Sequence, residues 1–109
     1  MEIPQIEVRD AAALLGEGGA LALDVREPFE WADAHIEGAL LIPLGELAGR
    51  LAEVPQGLRI VVVCHSGARS ASVTGPLRER GFDAVNLRGG ILAWRGAGLP
   101  LVLDGEGGS

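Results

Sequence analysis

Ile60-Val61-Val62-Val63-Cys64-His65-Ser66-Gly67-Ala68-Arg69-Ser70 is the stretch that decides the fold. Its opening β-branched run reads as a buried strand, because side chains stiff at χ1 pack well on a pleated surface and no polar residue interrupts them. The character then changes at once: Cys64, His65 and Ser66 are polar, Gly67 permits a tight turn, and Ala68 opens a segment with helical character. A strand that feeds a tight loop and then a helix can point backbone N–H groups inward around one spot. The helix N-terminus adds partial positive charge there. At that spot stands the chain's single cysteine. Cys64 is therefore the candidate nucleophile, held where thiolate is favoured over thiol, and His65, Ser66, Gly67, Ala68 and Arg69 form the candidate cradle for an anion. A lone cysteine at a strand end is otherwise a packing residue. Gly, Arg and Ser at these spacings argue for chemistry instead.

Working outward, apolar runs alternate with helical patterns along the whole chain. Strands are expected at residues 6–8, 21–25, 39–42, 60–63 and 84–87. Helical segments fall between them: residues 11–15 behind an N-cap at Asp10, residues 27–32 with Pro28 near the first turn, and the Leu44, Leu47, Leu51, Val54 stripe. Residues 68–80 follow the cysteine loop and stop at Gly81, and residues 91–95 make a final helix. Thr74-Gly75-Pro76 should kink or split the helix after the loop, since proline lacks the N–H and crowds the preceding turn. This alternation predicts an α/β fold, a five-stranded parallel sheet with helices on both faces. In such sheets ligands sit at the carboxyl ends of the strands, where Asp24 and Cys64 both fall.

Between Cys64 and Arg69 lie four residues, one fewer than in the phosphate-binding loop of cysteine phosphatases. A tighter ring of N–H groups suits a smaller guest, such as the terminal sulfur of a persulfide. The loop resembles the active-site loop of the rhodanese-like sulfurtransferases, and three further stretches extend that likeness over most of the chain. Leu23-Asp24-Val25-Arg26-Glu27-Pro28-Phe29-Glu30-Trp31 is similar to the family's strand ending in Asp-x-Arg and followed by a short acidic and aromatic helix. His35-Ile36-Glu37-Gly38-Ala39 resembles its His-Ile-x-Gly-Ala segment, with Ala34 standing where the family often has glycine, and Gly89-Gly90-Ile91-Leu92-Ala93-Trp94 resembles its C-terminal Gly-Gly-x-x-x-Trp motif.

The resemblance implies a sulfurtransferase that moves sulfane sulfur from a donor, thiosulfate or a persulfide, onto Cys64 and on to a thiophilic acceptor, cyanide or a thiol. A sulfur-relay protein is a further possible partner. Supporting roles are expected for Asp24, Arg26, His35 and Ser70. Arg69 either pairs with the anionic sulfur or reaches Asp24 and braces the loop, while Asp24 is a structural support. Arg26 either recruits an anionic substrate or is a solvated arginine. His65 either tunes substrate choice at the pocket mouth or is an exposed loop histidine without a role. His35 is implied to tie a loop to the neighbouring strand. Helix terminus, Arg69 and loop N–H groups together should lower the pKa of the thiol. Two readings of another class remain beside this one: a non-catalytic interaction module on the same fold, and a cysteine phosphatase or arsenate reductase, against which the loop length argues.

With 109 residues and 48% hydrophobic content, one domain spanning 1–109 is expected, with a Gly-rich flexible tail over about 104–109. A net charge of −6 without a basic run gives no electrostatic footprint for nucleic acid. No long apolar stretch or basic leader marks a membrane span or signal peptide, so a cytoplasmic location is the default. One cysteine and two widely separated histidines match no metal-ligand spacing, and no cofactor is expected. The lone thiol also excludes an internal disulfide.

Overall fold

In the computed structural model, which describes residues 2–103, the β-branched run forms β5 (Arg59–Val63), the middle strand of a parallel sheet. Around it the chain runs β1 (Gln5–Ile6), α1 (Val8–Gly16), β2 (Ala20–Asp24), α2 (Pro28–Asp33), β3 (Ala34–His35), β4 (Leu40–Leu41) and a 3₁₀ helix (Leu44–Glu53). After β5 come α3 (Ala68–Glu79), β6 (Asp83–Leu87), α4 (Gly90–Gly96) and β7 (Val102–Leu103). The sheet has five strands in the order β1-β6-β5-β2-β4, every pair parallel.

Each face of β5 lines a separate core. Ile60 and Val62 join Leu23, Val25, Ile42, Leu47 and Leu77 under the 3₁₀ helix and α3. Val61 and Val63 join Ala11, Val85, Leu87, Ile91 and Trp94 under α1 and α4. The period of two along a strand that is buried on both faces explains why no polar residue alternates in this run. Chain direction explains which face each helix takes. From β4 to β5 to β6 the chain steps one way across the sheet, and from β1 to β2 it steps the other way. Crossovers of one hand then put the 3₁₀ helix and α3 on one face and α1 on the opposite face.

Several expectations are corrected. The first strand stops at Ile6, and the first helix starts at Val8, with Glu7 at the N-cap and Asp10 inside the first turn. Val8, Ala11, Ala12 and Leu15 share a helical stripe that packs on the α1/α4 core, and this burial overrides the strand preference of Val8. Pro76 does not split α3, which is continuous from Ala68 to Glu79. Residue 75 is glycine and has no Cβ for the proline ring to strike, so the position before Pro76 keeps its helical conformation. A second, two-stranded antiparallel sheet joins β3 to β7, Ala34 opposite Leu103 and His35 opposite Val102. The tail expected over 104–109 lies outside the described residues. Among the described residues no helix is long and apolar enough to cross a membrane.

Candidate active site

Cys64 follows β5 directly and sits 1% exposed at the carboxyl end of the sheet. Gly67, at φ +100°, is the N-cap of α3 and turns the chain so that three donors converge on the sulfur. The Gly67 N–H lies 3.1 Å from Sγ, the Ser70 N–H 3.3 Å and the Ser70 hydroxyl 3.3 Å. Burial pushes the Cys64 thiol up. The Ser70 hydroxyl and the N–H groups of Ser70, Gly67 and Ser66 outweigh it, so the thiol lies below its ordinary range. Ser70, expected one layer back, is thus in direct contact with the sulfur, and its hydroxyl is foremost among the groups that acidify it.

The loop is held in place by a backbone-to-backbone contact that only glycine allows. At Gly90, φ +60°, an added Cβ would fall on the carbonyl oxygens of Cys64 and His65. Because the space is free, the first N–H groups of α4 reach those same carbonyls, Ile91 N to Cys64 O at 2.9 Å and Leu92 N to His65 O at 3.0 Å. A Cβ on Gly67 would press on Gly89 N at 3.2 Å. The Gly-Gly motif and the cysteine loop, far apart in sequence, are therefore one packed unit.

Behind the loop stands Asn86, 2% exposed near the carboxyl end of β6. Its Nδ2 donates to Gly67 O and to Gln5 Oε1, both at 3.2 Å, which turns Oδ1 toward the Ser70 hydroxyl. Ser70 has one hydroxyl hydrogen and two claimants. In the thiol form S–H can donate to Ser70 Oγ while Ser70 donates to Asn86; in the thiolate form the hydrogen must turn to sulfur.

Asp24 and Arg26 do not reach Cys64. Arg26 Nε and Nη2 donate to the Asp24 carboxylate at 3.0 and 2.8 Å, Nη2 also donates to Ala34 O at 2.7 Å, and the pair is 3% and 1% exposed. Arg26 is accordingly not a solvated arginine: it is a buried fastener between the end of β2 and the start of β3. Nor does Arg69 reach Asp24, whose oxygens Arg26 fills. Arg69 instead makes a two-pronged pair with Glu30 of α2, Nη1 to Oε1 at 2.8 Å and Nη2 to Oε2 at 2.7 Å. Arg69, with a smaller contribution from Glu27 N–H and with desolvation opposing, lowers the Glu30 carboxyl to about 2. The Cys64 charge is among the groups that raise Arg69 in turn.

His65 is exposed and, with Arg26, Phe29, Glu30 and Asp33, lines a cleft beside the loop; Ser66 and Ala68 are exposed on its surface. His35 does not tie a loop to a strand through its ring. Its Nδ1 donates to Trp31 O at 2.9 Å, and the imidazole stacks on the Trp31 indole with centroids 3.8 Å apart. Trp94 is core, its Nε1 donating to Pro100 O at 2.8 Å. Among the described residues no His, Cys, Asp and Glu side chains gather as a metal site would need.

Glu30 and Asn86 are the two partners that sequence reasoning missed. Asn86 carried a signal, a polar side chain inside the apolar run Ala84-Val85-Asn86-Leu87, since a buried amide needs partners. Glu30 carried only the capping-box spacing from Glu27.

Known proteins share this fold. Residues 7–97 match the Rhodanese-like domain. A sulfurtransferase of Allochromatium vinosum is 42% identical over 83 residues, covering 75% of this chain and 78% of its own length. A probable adenylyltransferase/sulfurtransferase, MoeZ, of Mycobacterium tuberculosis is 45% identical over 93 residues, 82% of this chain, but the match spans only 24% of that longer protein. The crystal structure of a rhodanese-related protein from Thermoplasma volcanium superposes with a TM-score of 0.87 at 32% identity, covering 92% of this chain and 98% of that one. The chain belongs to the rhodanese-like domain family.

Proposed function

We propose that this chain, working as one domain, is a sulfurtransferase that carries sulfane sulfur as a persulfide on Cys64. The observation that carries the reading is the set of three donors within 3.3 Å of a buried, unpaired sulfur. Such a ring stabilises a thiolate before reaction and a terminal persulfide sulfur after it. With thiosulfate as donor, the thiolate attacks the outer sulfur, the new S–S bond forms as the old one breaks, and sulfite leaves with the electron pair. A thiophilic acceptor, cyanide or a thiol, then attacks the outer sulfur and frees the Cys64 thiolate. Two half-reactions through one covalent intermediate give ping-pong kinetics.

The relatives named sulfurtransferase support the transfer chemistry, and the match to part of a longer adenylyltransferase/sulfurtransferase supports a sulfur-relay protein as acceptor. A free thiolate persists in a reducing compartment, which favours the cytoplasm. Intact-mass measurement after incubation with excess thiosulfate tests the reading. The wild type gains one sulfur, which cyanide removes, and Cys64→Ser gains none. A wild type of unchanged mass under donor excess sinks the proposal and restores the non-catalytic module.

A further inference from the structure

The cation nearest the loop is already engaged. Both terminal nitrogens of Arg69 are bound to Glu30, and Glu30 is fixed from behind because its Oε1 also accepts the Glu27 N–H at 3.0 Å. Arg26, the arginine that lines the cleft, is held by Asp24 at 2.8 Å. What faces an arriving donor is thus Arg26 and Glu30, each already paired, the further carboxylate of Asp33, the imidazole of His65, and Phe29, which is 75% exposed. The whole chain adds a net charge of −6. Thiosulfate is a dianion and meets net repulsion here. A persulfide borne on a thiol, RS–SH, brings at most one charge at its reacting end and can rest its carrier against an apolar ring.

We propose that Glu30 is a specificity-determining residue: by clamping Arg69 it disfavours divalent oxyanion donors and tilts the site toward thiol-borne persulfides. This rests on the sulfurtransferase reading above. In the favoured step the Cys64 thiolate attacks the outer sulfur of RS–SH, a Cys64 S–S bond forms as the RS–S bond breaks, and RS⁻ leaves with the electron pair. The proton remains on the transferred sulfur, so the step needs no oxidant or reductant.

The test is single-turnover sulfur uptake at Cys64 from thiosulfate and from cysteine persulfide, read by intact mass. Glu30→Gln keeps an oxygen for the Glu27 N–H but cannot neutralise Arg69. It should raise the ratio of thiosulfate to persulfide kcat/KM about tenfold, through a lower thiosulfate KM. Asp33→Asn removes the same charge from the cleft without freeing Arg69 and should move the ratio less than about threefold. An unchanged or lower ratio in Glu30→Gln, or an equal effect of Asp33→Asn, overturns the clamp. The wild type supplies a second measurement that does not depend on how a variant folds. Its thiosulfate kcat/KM should rise between about 20 and about 200 mM NaCl as repulsion is screened, and a fall would overturn the inference. A wild type that takes sulfur from neither donor refutes the sulfurtransferase reading itself; one that takes it from persulfide while failing the ratio test refutes only the role of Glu30.

Discussion

At the scale of single residues, the acidity of Cys64 depends on a hydroxyl more than on a guanidinium. Ser70 places its N–H and its Oγ both 3.3 Å from the sulfur, whereas Arg69 directs its fork at Glu30. Ser70→Ala deletes one donor from a buried anion and should raise the Cys64 pKa by roughly one unit, seen as a shift in the pH profile of alkylation. Arg69→Ala should shift that profile less. A larger shift from Arg69→Ala would restore charge as the leading cause. The sequence made the cysteine and its loop legible because cysteine, glycine and a helix start stand next to one another. It could not show Ser70 touching sulfur or Arg69 meeting Glu30, because both depend on how α2 and α3 face each other. Nothing in local spacing records that relation.

At the scale of elements, the glycine pair before α4 couples a helix to the cysteine loop. Gly90→Ala forces a Cβ onto the carbonyls of Cys64 and His65 at a backbone angle that alanine resists. The combined strain and overpacking should cost about 3 kcal/mol in chemical denaturation and reduce sulfur uptake at least about tenfold. Gly96→Ala is the matched control, at the end of the same helix with open space around it. It should leave stability unchanged or slightly higher. Failure of Gly90→Ala to differ from Gly96→Ala would mean that α4 does not brace the loop. The long strands were readable from their apolar runs, and α3 from the loop before it and Gly81 after it. The two-residue strands β3 and β7 were not, because two residues carry no periodicity and their pairing joins residues 34–35 to 102–103 across most of the chain. Pro76 misled for the opposite reason: its own chemistry is strong, but the glycine before it lets residue 75 keep a helical conformation.

At the scale of the whole molecule, the Arg69–Glu30 pair joins the rim helix α2 to the site helix α3 and gives stability a dependence on pH. Glu30 has a folded pKa of about 2 against an ordinary 4.5. A carboxyl lowered on folding contributes stability that is fully present above its unfolded value and is lost as pH falls from about 4.5 toward about 2. The wild type should therefore melt several degrees above Glu30→Gln at pH 7, and the gap should narrow through this acid window. A gap that stays constant down to acid pH would show that the pair contributes nothing through charge. The same rim also holds an optical probe. Of the chain's two tryptophans, Trp94 is sealed in the core while Trp31, next to Glu30, lies flat on the His35 ring at an interplanar angle of 5°. A stacked imidazole quenches indole emission. A molecule seated in the cleft that tilts α2 would change that overlap, so its arrival can be followed in the protein's own fluorescence, without a label.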